Sequence, residues 1–309
     1  MLKELTKLKR KQLFLQLLTP DESTGYIDGA TDYSLLIPFS ASQKTSREGK
    51  YWLAFLYSLS YSCTTAIRMF LEFPSIDNLS SKDFNLYWKN NKETLWFNPD
   101  RKYLKNMNQV GSAIGNLKKL SKAHGGFENY ISQMLEQGFD SAYTEIKSKW
   151  KFFGPMGAYL FFDAVYGLCP EEYSDPSNLD WNHSGKTVVQ GMAHLLCDEK
   201  AIETKEFDLN RYNKAVDKLA ELSSQPKVII ESTLCLFRKL FKCTRYVGYY
   251  ADRQLVECNA VADLIKHTYN IDIWKYRELS VKDELRGEIH GWSGIRKELL
   301  TKFVNTGEI

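Results

Sequence analysis

Apolar residues recur at helical spacing along most of this chain. Leu2, Leu5, Leu8, Leu13 and Leu17 mark an N-terminal helix closed by Thr19-Pro20. From there to residue 49, Ser, Thr, Gly and Asp predominate and the stretch reads as irregular. Residues 50–73 read as one long helix, with Tyr51, Phe55, Leu59, Ser62 and Ala66 on one face and Pro74 beyond its end. Ser80-Ser81-Lys82-Asp83 offers an N-cap for a short helix to Trp88, and Asn98-Pro99 starts another turn. Helical patterns follow at 104–120, 127–136 and 139–149. Residues 152–168 are apolar apart from Asp163 and predict a buried helix beginning near Pro155. Beyond an acidic loop at 170–180, helices are expected over 185–196, 209–222 and 228–250, continuing to 269. Sustained alternation is missing, and Asp28-Gly29 is the lone hairpin signal. The expected fold is a mostly α, multi-helix globular protein with two helical lobes. Its N-terminal helix and irregular segment occupy 1–49, the first lobe 50–169 and the second lobe 170–309.

Composition narrows the class. With 43% hydrophobic and 26% charged residues, 309 residues suffice for a sizeable core in a soluble globular protein. Most of the 18 Tyr, 17 Phe and 7 Trp must be core because there are so many, while the excess of Tyr suits surfaces that stack on flat ligands. The net charge of +3 decides little, but its distribution is segregated. Nine Lys/Arg stand against three Asp/Glu over 82–122, and six against two over 227–253, a pattern compatible with a polyanion-binding face. Solvated charged faces are the commoner source of any single run. The six cysteines form no Cys-x-x-Cys pair and mostly sit among apolar residues, as reduced thiols in a cytoplasmic protein do. Leu13 to Leu18 is too short for a signal-peptide core, and the Ser/Thr-rich stretch 51–67 stops at Arg68, so no membrane span is expected.

The densest chemistry lies at Arg245-Tyr-Val-Gly-Tyr-Tyr-Ala-Asp-Arg253. On a helix, Arg245, Tyr249 and Asp252 share one face while Tyr246, Tyr250 and Arg253 share the next. Such a mixture can hold an aromatic base, a phosphate and a proton acceptor together. An amphipathic helix with half-buried tyrosines and a paired Arg and Asp has the same pattern. Ser184-Gly185-Lys186-Thr187 is no phosphate loop, because Asp180 stands where the first glycine is needed. It can still cap a helix whose first N–H groups, with Lys186, form an anion site. A glycine-rich run with Gly287, Gly291 and Gly294 offers His290 as acid or base, Trp292 as a stacking wall and Arg296 as a phosphate partner. A helix junction with a packed Trp fits the same run. Metal-ligand spacing is absent, so no metal is indicated.

In this order, Phe153-Gly154-Pro155-Met156 before an aromatic helix, 182–191, 246–253 and Gly291-Trp292-Ser293-Gly294-Ile295-Arg296 resemble the phage amino:DNA transferases, the α-glutamyl/putrescinyl-thymine pyrophosphorylases of thymidine hypermodification. The resemblance runs from about residue 50 to the C-terminus. It implies a helical, DNA-glycosylase-like protein in the host cytoplasm. The implied substrate is DNA carrying 5-pyrophosphoryloxymethyluracil, whose pyrophosphate is replaced by an amine or amino acid. Two departures stand out: Pro155 occupies a basic position of the family's turn, and Val189-Gln190 replace an arginine step. Under this resemblance Tyr249 stacks on a flipped base, and Arg68, Arg245 and Arg253 meet the leaving pyrophosphate. Asp252 accepts a proton from the amine or orients it. The scheme requires no cofactor, although magnesium suits a pyrophosphate leaving group. A helical DNA glycosylase or lyase, and a non-catalytic DNA-binding phage protein, remain the alternatives.

Overall fold

A computed structural model describes residues 6–18, 33–98, 100–101, 103–104, 106–182, 186–242 and 249–280; for Gln16, Tyr249, Ala251 and Asp252 it describes the backbone alone. Among these residues lie fifteen α-helices and no strand, in keeping with the all-α expectation. In chain order they are α1 (Lys7–Leu18), α2 (Leu36–Ser42), α3 (Arg47–Ser60), α4 (Cys63–Glu72) and α5 (Ser81–Asn91). Next come α6 (Met107–Ala123), α7 (Phe127–Glu136), α8 (Phe139–Lys149), α9 (Pro155–Leu168) and α10 (Thr187–Leu195). The last five are α11 (Glu199–Thr204), α12 (Leu209–Ser223), α13 (Lys227–Phe241), α14 (Tyr249–Tyr269) and α15 (Ile273–Ser280). No helix among the described residues is long and apolar enough to cross a membrane.

The structure departs from the expected helix pattern at one instructive place. Residues 50–73 form two helices instead of one, because Tyr61 turns left-handed at φ 53° and Ser62 starts α4 afresh. Serine side chains replace the lost backbone bonds. Ser60 Oγ donates to the Leu56 carbonyl at 2.9 Å, and the Thr65 N–H donates to Ser62 Oγ at 3.2 Å. Three short helices, α2, α11 and α15, were also not expected, since six to eight residues carry too little period to be read.

Contacts divide the chain into two compact units, one drawn from Met1–Thr31, Pro176–Val256 and Val281–Ile309, the other from Asp32–Asp175 and Glu257–Ser280. In the second unit α3 lies along α9. Much of the aromatic content forms its core: Trp52 stacks on Phe55 at 5.4 Å, Phe55 stacks on Phe153 at 5.4 Å, and Trp150 meets both phenylalanines edge-on or nearly so. The indole N–H groups are satisfied, Trp52 by the Phe73 carbonyl at 2.7 Å and Trp150 by the Tyr130 hydroxyl at 2.9 Å.

In the other unit, Leu13, Phe14, Leu17 and Leu18 of α1 are buried, while Leu8 from the expected stripe is exposed. Arg10 is buried with them; its Nη1 donates to the His194 carbonyl at 2.8 Å and to Glu199 Oε1 at 3.3 Å. Helices α10 and α13 touch backbone to backbone at Gly191. A Cβ placed there would stand 2.1 Å from the Leu234 carbonyl oxygen, which cannot move aside as a side chain can. Gly191→Ala is therefore expected to destabilise the protein by about 1–3 kcal/mol or more through forced separation of the two helices. Chemical denaturation measures it, and a midpoint equal to that of the parent would contradict this close approach.

Candidate functional site

Where α3 gives way to α4, the core turns polar. Ser58, Ser60, Ser62, Thr64 and Thr65 are all buried, and buried hydroxyls require partners. Ser58 Oγ donates to the Phe55 carbonyl at 2.8 Å. Ser62 Oγ and Thr64 Oγ1 both donate to one oxygen of Glu257, at 2.6 and 3.1 Å. Glu257 is itself buried, on α14, and lies 195 residues along the chain from Ser62. A carboxylate in this setting has one oxygen held by two hydroxyls, a buried polar network that fixes the local geometry. The sequence reading missed Glu257. Its signal was present: Tyr246, Tyr250, Arg253 and Glu257 follow one another at helical spacing of four, three and four residues.

A second set of bonds ties residues 91–98 to the same junction. The Trp96 N–H donates to Thr65 Oγ1 at 2.7 Å, and that hydroxyl donates to the Trp96 carbonyl at 2.9 Å. Arg68 is buried beside it. Its Nη1 donates to the Thr94 carbonyl at 2.7 Å and to Thr94 Oγ1 at 2.9 Å, and its Nη2 donates to Asn91 Oδ1 at 2.7 Å. The structure thus places Arg68 as an anchor of this segment, facing three protein acceptors. The Asn98 N–H reaches the Ser60 carbonyl at 3.0 Å. On this fixed backbone Trp96 is 38% exposed; Tyr103, further along the chain, is 68% exposed. Lys82, Lys89, Lys92, Lys119 and Lys122 of the basic run are exposed in the same unit. Lys118 has a different task, donating to the carbonyls of Ile76, Asp77 and Leu79.

The division between the two units falls within α14, after Val256. Tyr249 and Asp252 stand in the part of α14 that precedes it, three residues apart and so on one face. Arg253 is half-buried and Tyr250 buried. Lys186 is exposed and caps α10 in the left-handed region at φ 66°, with no side chain bonding the first turn. Arg245, Tyr246, His290, Trp292 and Arg296 lie outside the described residues, as do Ser184 and Gly185.

For a metal, the described residues offer one cluster, Cys169, Glu171 and Glu172. Two of its three groups are poorly disposed to a cation. Burial pushes the Cys169 thiol up to about 12, so it stays protonated near neutral pH. Glu172 receives Arg47 Nε at 2.5 Å, Arg47 Nη2 at 2.8 Å and the Tyr51 hydroxyl. Burial opposes ionisation of Glu172, but these donors outweigh it and hold its carboxyl below the usual range. The arrangement around Glu172 is an ion-pair clamp onto α3.

The amino acid:DNA transferase family matches residues 36–246, more than half of the chain, and the chain belongs to that family. Membership makes it a transferase acting on DNA, with DNA and an amino acid as substrate classes. The chain is also similar to a serinyltransferase of Salmonella phage ViI, 23% identical over 312 residues that cover 89% of this chain and 75% of the relative. No solved structure matches it.

Proposed function

We propose that this family member joins the amino group of an amino acid to 5-pyrophosphoryloxymethyluracil in DNA and releases pyrophosphate. The family match over residues 36–246 carries this reading, since it sets both substrate classes. The amine nitrogen forms a bond to the exocyclic methylene carbon, the carbon–oxygen bond to pyrophosphate breaks, and the ammonium proton passes to a base. Asp252 serves as that base or orients the amine, Arg253 meets the charge growing on pyrophosphate, and Tyr249 stacks on the extruded ring. Arg245, Tyr246, His290, Trp292 and Arg296 remain proposed substrate or phosphate contacts, together with Lys186. Trp96 and Tyr103, exposed in the same unit as the lysines of the basic run, supply further stacking faces for DNA. Host cytoplasm is the proposed place of action.

Mass spectrometry of nucleosides tests the reading directly. DNA carrying pyrophosphorylated hydroxymethyluracil, incubated with the protein and a pool of amino acids, is expected to yield a nucleoside whose 5-methylene carbon carries the amino acid through its nitrogen, together with free pyrophosphate. Release of the base with no amine added would instead indicate a glycosylase. DNA affinity should also depend steeply on salt. If the five exposed lysines each neutralise one phosphate, affinity should fall by about two to three orders of magnitude between roughly 50 and 200 mM salt. A flat salt response would leave these lysines as a solvated face.

A further inference from the structure

Within the basic run, Arg101 stands apart. It is 5% exposed, and its guanidinium lies 4.9 Å over the Phe153 ring. Its Nε reaches the Leu59 carbonyl only at 3.4 Å, and its buried Nη2 has no hydrogen-bond partner among the described residues. Burial alone pushes its pKa down to about 10, so no described carboxylate compensates its charge.

The guanidinium rests against the first turn of α9. A Cβ on Gly157 would stand 2.8 Å from Nη1 and 3.0 Å from Nη2. This helix begins without a side-chain cap at Gly154, and Pro155 has no N–H to offer. The Met156 and Gly157 N–H groups precede the first intrahelical bond, which runs from the Ala158 N–H to the Gly154 carbonyl at 3.1 Å. Gly154 is exposed, and a Cβ there would meet nothing within 4 Å.

Three unfavourable terms meet at this point. Among the described residues this buried cation lacks a counter-ion, it lies against the first turn at the positive end of a helix, and no side chain caps that end. One oxyanion relieves all three. We propose that Arg101 and the N-terminal turn of α9 bind the α-carboxylate of the amino-acid co-substrate. The identification rests on the amino-acid-transfer reading above. A single guanidinium matches the single charge of a carboxylate and grips it with two parallel N–H donors. Pyrophosphate, with several charges, calls for several cations. Because Nη2 has no contact with solvent, a carboxylate oxygen reaches it with a local shift of the turn, entering from the exposed Gly154 end.

The test is binding and turnover with the full chain, using each common amino acid, its decarboxylated amine (ethanolamine for serine, methylamine for glycine) and inorganic pyrophosphate. At least one amino acid is expected to raise the melting temperature saturably and its decarboxylated amine to bind at least tenfold more weakly. Arg101→Met should weaken that amino acid at least tenfold and lower the ratio of kcat/KM for amino acid over amine by a similar factor. If Arg101→Met fails to fold, Gly157→Ala keeps the arginine but fills the space against it, and should also weaken the amino acid several-fold. Unchanged amino-acid binding in both variants would overturn the proposal. So would arginine-dependent binding of pyrophosphate alone, or binding by no amino acid. If the parent binds an amino acid through Arg101 yet transfers none to DNA, the transfer reading fails while the carboxylate site stands.

Discussion

Asp252→Asn is expected to abolish amine transfer while the fold and DNA binding persist. Asparagine keeps the size of the side chain and one acceptor oxygen, but loses the charge that accepts a proton or holds an ammonium group. A positioned general base contributes about two to four orders of magnitude, and turnover should fall within that range. The pH profile separates two roles for Asp252. If it handles the amine, the defect should ease as pH rises, because more of the amine is already neutral. If it only orients an arginine, the loss should be nearly constant across the same range. Activity equal to the parent at every pH would remove Asp252 from the mechanism.

Arg253→Ala should lower turnover by about two to three orders of magnitude and change DNA affinity far less. A cation that meets charge developing on a leaving group acts chiefly in the transition state, where one such contact is worth a few kcal/mol. Single-turnover rates at saturating DNA, set beside direct DNA binding, distinguish this from a general loss of contact. Arg253 is half-buried on α14, one helical turn before the buried Glu257. Normal turnover with a lowered melting temperature would make it a structural residue.

How much of this was legible in the sequence varies with the length of the elements. Long helices such as α6, α12 and α13 declare themselves through a repeated apolar face, and Pro155 marks the start of α9 within one residue. The break between α3 and α4 does not, because Tyr51, Phe55, Leu59, Ser62 and Ala66 keep helical spacing straight through it. The break depends on which backbone groups Ser60 and Ser62 bond, and a serine on a helix looks the same either way. The basic run 82–122 is similar. As a sequence it is one patch, yet the fold exposes Lys82, Lys89, Lys92, Lys119 and Lys122, turns Lys118 onto three carbonyls and buries Arg101.

By itself, the sequence determined the helical class and the aromatic core, since periodicity and composition are local properties that survive without knowledge of neighbours. The order of its motifs also led to the transferase family. Only the tertiary structure decided what individual polar side chains do. Arg68 reads as a free cation until Thr94 and Asn91 supply its acceptors, 26 and 23 residues away. Glu257 reads as one of many carboxylates until the fold brings Ser62 and Thr64 to it. Arg101 acquires its meaning from Phe153 and Gly157, more than fifty residues further along the chain. The physical reason is common to all three. The free energy of a charged or hydrogen-bonding group is set by its burial and its partners, and those are fixed by packing between segments that the linear order keeps apart.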